Sequence, residues 1–294
     1  MARTKRVTKM NSLREKAVPY LFLLPFLISF AVFFLYPVGY SFMLSLMKYK
    51  GYGTMRFVGL QNYEKLFQYR TMWNCLLNTL QYFFFSFVPV MIISFMLAVL
   101  VRSKAVSRYQ KIYKPLIFLP QVCAVVASAL VFQVIFGSQV GVINQLLGTK
   151  IPFMGDTKLM KIPVVTMITW RQIGWYFIIF LSGLTTISDE ILEASKVDGA
   201  NSVQNLFYIM IPVMKPIFKL AFITYAIGAL KLYTEPNLIL SNDEAPLTVA
   251  PYVNLITSNI SGGVFGMASA AGWILVALIM ILTLIQMGLF REEE

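Results

Sequence analysis

Side chains that commonly perform catalysis are scarce in this chain of 294 residues. It contains no histidine, which removes the usual general base and the commonest metal ligand. Its two cysteines, Cys75 and Cys123, lie in or beside apolar stretches, where buried free thiols are more usual than a disulfide or a metal pair. The sequence also lacks a nucleophile motif and a Gly-x-x-x-x-Gly-Lys-Ser/Thr phosphate loop. An intramembrane enzyme is therefore the least favoured function class, and no ATPase site is expected in this chain.

The composition is that of a membrane protein. Apolar and aromatic residues make up 58% of the chain and the mean hydropathy is +0.70. Charged residues account for only 13%, whereas soluble domains carry about 25%. A water-soluble fold of this size cannot hide so much apolar surface, so the chain is predicted to form one polytopic membrane domain.

Long charge-free intervals locate the membrane-spanning helices. The hydrocarbon core of a bilayer is about 30 Å thick and requires about 20 mostly apolar helical residues. The fourth and fifth predicted helices are the exceptions, because the fourth contains Arg171 and the fifth carries Lys215 and Lys219 near its start. The predicted fold class is an all-α membrane protein with six transmembrane helices, at about residues 19–46, 76–101, 114–136, 163–185, 210–232 and 267–290.

The distribution of lysine and arginine predicts the orientation. With the N-terminus in the cytoplasm, fifteen of the 25 basic residues lie on the inner side and nine on the outer side. The positive-inside rule therefore places both termini in the cytoplasm. The net charge of +12 is also compatible with nucleic-acid binding. However, the basic residues are spread over short loops and form no single basic face.

Residues 187–212, between the fourth and fifth predicted spans, carry start and stop signals for two short helices. A serine N-cap precedes two acidic residues, which suit the positive end of a helix dipole. A glycine then suits the left-handed residue beyond the helix end, and an Asn/Gln pair is spaced as a capping box for a second helix. These residues are Ser188, Asp189, Glu190, Gly199, Asn201 and Gln204, and the second helix is predicted to stop near Pro212.

This helix–turn–helix segment has two interpretations. Glu193 and Val197 share one helical face, and Ala194 and Ser195 are small enough for another surface to approach closely. The first helix could therefore occupy a groove on a partner. Alternatively, the segment is a connector whose charges face water, and the physics of the segment alone favours this second interpretation.

A family resemblance reverses that preference. The run Glu193-Ala-Ser-Lys-Val-Asp-Gly-Ala200, followed by Ile209, Pro212 and Pro216, closely resembles the EAA loop of permease subunits of binding-protein-dependent ATP-binding-cassette (ABC) importers. Ser195 replaces the second alanine of the family motif, and Leu206 stands where the family often has an aromatic residue. Further matches to the carbohydrate-uptake branch follow in order along the chain, at Phe57 to Tyr63, Asn78-Thr79, Leu119-Pro120, Trp170-Arg171 with Leu184, and Phe265 to Ala271.

The resemblance implies how such a chain is driven. In that family two permeases, here expected to be a heterodimer of homologous chains, meet around a substrate path, and an extracellular solute-binding protein delivers the solute. Each EAA loop sits in a cleft of a cytoplasmic ABC ATPase dimer, so ATP and Mg²⁺ belong to that partner and no cofactor is expected in this chain. The implied ATPase-coupling residues are Glu193, Ala194, Ser195, Asp198 and Gly199, with Glu193 and Asp198 making polar contacts, Ala194 permitting close packing and Gly199 forming the turn.

The same resemblance implies the location and organisation of the chain. It is expected in a bacterial plasma membrane. Residues 1–18 are expected to form a basic cytoplasmic N-terminus, 19–290 the permease domain with the coupling loop at 187–212, and 291–294 a cytoplasmic tail.

Polar and aromatic side chains in or near the spans are candidates for the substrate path. Aromatic faces, hydroxyls and amides commonly hold sugars, and polar groups within a membrane are often functional. Each could instead be a helix-packing contact or an interfacial aromatic, which is the commoner case. The candidates are Asn78, Gln81, Tyr82, Trp175, Tyr176, Tyr225, Tyr233 and Asn237.

Two single residues have their own predictions. For Arg171, snorkelling to the lipid headgroups is favoured over pairing with a carboxylate. Tyr233, between Lys231 and Glu235, is a candidate for lining an outer gate.

A self-contained ion-coupled carrier is the alternative function. Such carriers often need acidic residues near the bilayer midplane. None of the 13 carboxylates falls at the centre of a predicted span, which favours the importer.

Overall fold

The computed structural model describes residues 19–103, 106, 109–138, 141–240 and 248–289. The predicted cytoplasmic segments at 1–18 and 291–294 lie outside the described residues. Within those ranges the chain is mostly helical.

The elements follow one another with short connections. The only strand pairing among the described residues is a two-stranded antiparallel ribbon, in which Met47 lies opposite Phe57 and Lys48 opposite Arg56. In chain order the elements are α1 (Pro19–Ser45, with a π-helical stretch at Ala31–Leu35), β1 (Met47–Lys48), β2 (Arg56–Phe57), α2 (Gln61–Gln68), α3 (Arg70–Arg102), α4 (Gln110–Val122), α5 (Val125–Ile135), α6 (Val142–Leu147), α7 (Lys161–Thr185), α8 (Asp189–Val197), α9 (Ser202–Val213), α10 (Lys215–Leu230), α11 (Thr234–Leu240), α12 (Tyr252–Ser261) and α13 (Phe265–Leu289).

Among the residues that the structure describes, four helices are long and apolar enough to cross a membrane alone, namely α1, α3, α7 and α13. They correspond to the first, second, fourth and sixth predicted spans, with α3 starting earlier, at Arg70. Two bent pairs, α4 with α5 and α9 with α10, raise the number to six if each pair is counted as one span.

The prediction of one continuous helix over 114–136 is wrong. Helices α4 and α5 meet at an angle of 89°, and Cys123 and Ala124 between them have extended backbone, with ψ of 139° and 130°. Pro120 contributes to the break, because it lacks an N–H for the helical ladder. Helix α4 is also held against α7 at Gly174, where a Cβ would lie 2.6 Å from the Ile117 carbonyl oxygen.

The fifth predicted span, 210–232, starts too early. Its first residues belong to α9, which meets α10 at 69°. Met214 at the bend is fully buried, and its side chain lies against Gly183 of α7, where a Cβ would come within 2.8 Å of the Met214 sulfur. Close packing against a glycine, rather than hydropathy, therefore sets where α10 begins.

Helices α3, α7 and α10 form the centre of the protein. Their largest shared cluster contains Val90, Ala98, Phe177 and Leu184, all fully or almost fully buried. A second cluster joins α5, α7 and α11, and a third joins α2, α12 and α13.

Helix α1 differs from the other long helices because it is barely covered. Every residue from 19 to 40 is exposed, although the helix is strongly apolar. Its contact with the rest of the chain is near its C-terminal end, where the rings of Phe42 and Trp273 meet edge to face with centroids 5.0 Å apart.

Candidate functional site

The α8–α9 segment (residues 187–213) has the predicted capping geometry. The Ser188 hydroxyl accepts a hydrogen bond from the Ile191 N–H at 3.4 Å. Gly199 has φ of +86°, a left-handed conformation that costs other residues about 1–2 kcal/mol. Asn201 and Gln204 bond reciprocally, each side chain accepting from the other's backbone N–H at 2.8 Å. The helix, glycine turn and second helix are therefore confirmed.

Four of the five predicted coupling residues lie on the outer surface of the α8–α9 segment. Glu193, Ala194, Asp198 and Gly199 are all exposed. Ser195 instead faces the interior of its own chain, where it is buried and its hydroxyl donates to the Leu192 carbonyl at 2.9 Å. The small size of Ser195 thus lets α8 pack on its own chain, which corrects the expectation that this side chain makes room for a partner.

The same surface exposes apolar residues. Val197 is 88% exposed, and Phe207 and Tyr208 of α9 are also exposed. Leu206, at the position where the family often has an aromatic residue, packs into the core, so Phe207 and Tyr208 supply the aromatic surface. Exposed apolar side chains beside charged ones are typical of a protein interface.

A cavity of about 40 Å³ lies among α3, α7, α10 and α11. We refer to it as the tyrosine cavity, because Tyr82, Tyr176 and Tyr225 line it together with Ser86, Gln172 and Glu235. The Tyr225 hydroxyl donates to Ser86 Oγ at 2.6 Å, and the rings of Tyr176 and Tyr225 have centroids 5.3 Å apart. Three of the predicted substrate-path residues are therefore brought together.

An ion pair joins α7 to α11 beside this cavity. Arg171 Nη1 lies 3.2 Å from Glu235 Oε1, and the two side chains are only 10% and 19% exposed. Arg171 Nε is buried with no hydrogen-bond partner. The prediction that Arg171 snorkels is wrong, and the alternative of a carboxylate partner is confirmed.

Glu235 reaches Arg171 because α11 lies against α5 and α7. Helix α10 ends at Leu230, and α11 begins at Thr234. Gln133 of α5 holds α11 by donating to the carbonyls of Leu238 and Ile239 at 2.8 and 3.1 Å. Glu235 thereby pairs with a residue near the middle of a spanning helix, although Glu235 itself lies outside the predicted spans.

Asn78 and Gln81 belong to a separate polar cluster. The Lys161 ammonium donates to Asn78 Oδ1 at 2.6 Å and to Gln81 Oε1. The Asn78 amide donates to the carbonyls of Thr248 and Ala250 at 2.7 and 3.1 Å. Asn78 therefore ties α3 to Lys161 of α7 and to the connection that precedes α12.

The remaining candidates lie away from the tyrosine cavity. Trp175 is half exposed in an apolar groove beside Phe118 of α4. The Asn237 side chain accepts a hydrogen bond from the Asn254 amide. Tyr233 is partly exposed and does not line the cavity.

Residues 82–291 match the family model described as "Binding-protein-dependent transport system inner membrane component". The chain belongs to this family. It is 30% identical over 95% of its length to the arabinooligosaccharides transport system permease protein AraP of Bacillus subtilis (strain 168), covering 91% of that protein. It is 31% identical to the lactose transport system permease protein LacF of Rhizobium radiobacter, with 94% of each chain covered.

The fold of this permease-family chain also matches a solved structure. A bacterial alginate ABC transporter, crystallised in complex with an alginate pentasaccharide-bound periplasmic protein, contains a chain that superposes with a TM-score of 0.83. The identity is 20%, and 96% of each chain is covered, so the fold is shared. This permease-family chain is accordingly a multi-pass inner-membrane protein.

Two residues that contribute to these sites are not found by sequence-based reasoning, for one common reason. Lys161 bonds to Asn78, 83 positions away in the chain, and Glu235 bonds to Arg171, 64 positions away. No local spacing signals such a partner. The one available signal was general, because a charge that falls within or beside an apolar helix requires a partner.

Proposed function

We propose that this chain is one permease subunit of an ATP-driven, binding-protein-dependent importer of a sugar or oligosaccharide. It forms half of the translocation path and is coupled in trans to an ATPase. The observation that carries the proposal is the doubly capped α8–α9 segment, which presents Glu193, Ala194, Asp198 and Gly199 on one exposed surface. The sugar assignment is supported by the names of the relatives, which transport arabinooligosaccharides and lactose.

The proposed topology has six spans, with each bent pair counted as one, and both termini in the cytoplasm. Fifteen basic residues against nine support this orientation. It places the α8–α9 segment on the cytoplasmic side, where an ATPase can reach it, and α11 towards the outer side.

The proposed partners are a second permease, an ABC ATPase dimer and an extracellular solute-binding protein. The uncovered apolar surface of α1, from 19 to 40, supports a partner within the membrane. The similar fold in a transporter that was crystallised with a periplasmic protein supports the third partner. ATP and Mg²⁺ are bound by the ATPase, because this sequence has no phosphate loop.

The proposed substrate path includes the tyrosine cavity in a closed state. Its volume of about 40 Å³ is enough for a water molecule, whereas pockets for small-molecule ligands measure about 300–1,000 Å³. A sugar therefore requires α7, α10 and α11 to separate. Shifting the equilibrium between the closed and open states of the cavity from 1:99 to 99:1 takes about 5.5 kcal/mol. ATP binding and hydrolysis on the partner supply this free energy.

Reconstitution of the complete transporter tests this proposal. The chain is co-expressed with the products of its neighbouring genes, and ATP-driven uptake of labelled arabinooligosaccharides and lactose is measured in proteoliposomes. Glu193→Ala and Gly199→Val are expected to abolish uptake while leaving the chain inserted. Lys150→Ala, which removes an exposed charge far along the chain from α8, is the matched control. Normal uptake with both α8–α9 variants would refute the docking role.

The identity of the solute is best determined on the soluble partner. Titration calorimetry of the solute-binding protein with arabinooligosaccharides, lactose and alginate oligosaccharides is expected to show one tight ligand class. Tight binding of a non-carbohydrate solute, with no sugar bound, would contradict the sugar assignment and leave the importer mechanism intact.

One observation favours a second function. Glu235 is a largely buried carboxylate, 19% exposed, that pairs with a residue of a spanning helix, and ion-coupled carriers often use such carboxylates. Vesicles that contain this chain alone, with a proton or sodium gradient and no ATP, distinguish the two functions. The importer predicts no uptake in these vesicles, and uptake would establish the carrier.

A further inference from the structure

Arg102, the last residue of α3, holds the junction between α7 and α8. Its Nη1 donates to the Leu184 carbonyl, and its Nη2 donates to the Ile187 carbonyl at 2.5 Å. Nη2 also lies 3.3 Å from Asp189 Oδ1. One guanidinium therefore contacts the end of α7, the connection that follows it and the first turn of α8.

The chemistry of this junction suits an arginine. The last carbonyls of a helix have no intrahelical donor and carry partial negative charge, so a cation with several donors is favoured near Leu184. The guanidinium offers five N–H donors in a fixed planar fork. The Arg102 side chain is only 13% exposed, and its N–H groups donate mainly to backbone carbonyls.

Helices α3 and α7, which Arg102 joins to α8, pack closely along their length. Ala98 of α3 and Leu184 of α7 are both completely buried in the central cluster, and Ser94 Oγ donates to the Ile173 carbonyl at 3.0 Å. A helix pair joined in this way moves as a unit, since packed interiors deform little.

The rest of the α8–α9 segment is attached to the spanning helices by packing. Leu192, Leu206 and Met210 pack against the central cluster, and Met214, which follows α9, lies against Gly183 of α7. Arg102 adds directional hydrogen bonds at the start of the segment.

We propose that Arg102 is a positioning residue for transport. By holding Leu184, Ile187 and Asp189 on the end of α3, it makes the α8–α9 segment move as one body with α3 and α7. Movement that an ATPase imposes on α8 then reaches the helices that line the tyrosine cavity. This inference rests on the proposed function.

The ratio of ATP hydrolysed to solute transported tests the inference. Uptake of labelled arabinooligosaccharides or lactose and ATP hydrolysis are measured on the same proteoliposomes containing the complete transporter. Arg102→Ala is expected to raise the ratio about tenfold, within the usual range of coupling between two sites. Arg102→Lys keeps the charge but loses the planar fork, so its ratio is expected to fall between those of the wild type and Arg102→Ala.

Two further variants separate the carbonyl contacts from charge effects. Asp189→Asn is expected to change the ratio by less than about threefold, because exposed ion pairs contribute little. Lys111→Ala, which removes an exposed basic residue near the start of α4, is expected to leave the ratio unchanged.

A wild-type ratio for assembled Arg102→Ala would overturn the inference. If Arg102→Ala does not assemble, the ratio of ATP hydrolysed to solute transported by Arg102→Lys tests the inference instead. A raised ratio in that variant supports positioning, whereas a wild-type ratio shows that Arg102 serves folding alone.

Failure of the proposed function has a different signature. In that case the wild-type complex shows no ATP-driven uptake, or the Glu193 and Gly199 variants take up solute normally, whatever ratio the Arg102 variants give.

Discussion

Within the part of the chain that the structure describes, Arg171 and Arg102 each pair with a carboxylate, and their surroundings differ. Arg171 and Glu235 are both largely buried beside the tyrosine cavity, with exposures of 10% and 19%. Arg102 is similarly buried, but its partner Asp189 is 84% exposed. A buried charge that loses its partner costs about 3–5 kcal/mol, whereas an exposed pair is worth about 0–1 kcal/mol. Charge attraction between Arg171 and Glu235 therefore stabilises the first pair. Arg102 is stabilised mainly by its hydrogen bonds to backbone carbonyls.

The comparison extends to the regions around each pair. The surroundings of Arg171 are fixed by close packing and buried hydrogen bonds. The α8–α9 segment is fixed by caps at Ser188 and Asn201 and by a left-handed glycine at Gly199, all of them local features. Substitutions in the first region are expected to affect folding most, and those in the second region coupling.

The largest expected effect comes from separating the buried pair. Glu235→Ala leaves the Arg171 charge unpaired and is expected to lower the free energy of unfolding by about 3–5 kcal/mol. Thermal unfolding of the detergent-solubilised chain measures this loss. The double variant Arg171→Met/Glu235→Leu removes both charges and is expected to recover most of it. A single variant as stable as the wild type would show that the pair contributes nothing.

Close packing in the same region gives the next effect. Gly174→Ala places a Cβ 2.6 Å from the Ile117 carbonyl oxygen and 3.0 Å from Phe118 Cα. Overpacking of this kind costs about 1–3 kcal/mol, measured by the same unfolding assay. Gly228→Ala, where nothing lies within 4 Å of the new Cβ, is the control and should not destabilise the chain. Equal stability of the two variants would contradict the packing argument.

A smaller effect distinguishes two tyrosines that sequence reasoning treated alike. Tyr225→Phe removes the hydrogen bond to Ser86 and is expected to cost about 1 kcal/mol of stability. It is also expected to raise the solute concentration that gives half-maximal uptake, because a hydroxyl of the cavity is lost. Tyr233→Phe lies outside the cavity and should change neither quantity. An effect on half-maximal uptake from Tyr233→Phe and none from Tyr225→Phe would indicate that the substrate path lies near Tyr233 and not in the tyrosine cavity.

The smallest effect is expected at the exposed carboxylate. Asp189→Asn is predicted to lower stability by less than about 1 kcal/mol, and the difference should shrink as salt is added. Unfolding measurements at low and high ionic strength test both statements. A loss as large as that of Glu235→Ala would remove the distinction between the two arginines.

Local physics made the α8–α9 segment and most spans predictable. Caps, a left-handed glycine and long apolar runs depend on neighbouring residues, so Ser188, Gly199 and the Asn201–Gln204 box were identified from spacing. The 89° bend at Cys123 and Ala124 depends on how α4 meets α7, which hydropathy averaging cannot resolve.

The sites were predictable only where their contacts are local. Residue type and a position in or near a predicted span indicate Tyr82, Tyr176 and Tyr225 as candidates. The same criteria also indicate Trp175 and Asn237, which lie away from the tyrosine cavity. The pairing of Arg171 with Glu235 joins residues that are 64 positions apart in the chain. Tertiary structure alone brings those two charges together.

The central claim is that an ATPase in the cytoplasm contacts the α8–α9 segment. It is tested most directly by a single cysteine at Val197, which is 88% exposed, in a chain with Cys75→Ala and Cys123→Ala. A thiol cross-linker applied to inverted membrane vesicles of the complete transporter is predicted to join Val197→Cys to the ATPase, and Ser195→Cys, at a buried position, much less. Labelling of Val197→Cys by a membrane-impermeant reagent from the cell exterior, with no cross-link to the ATPase, would contradict the account.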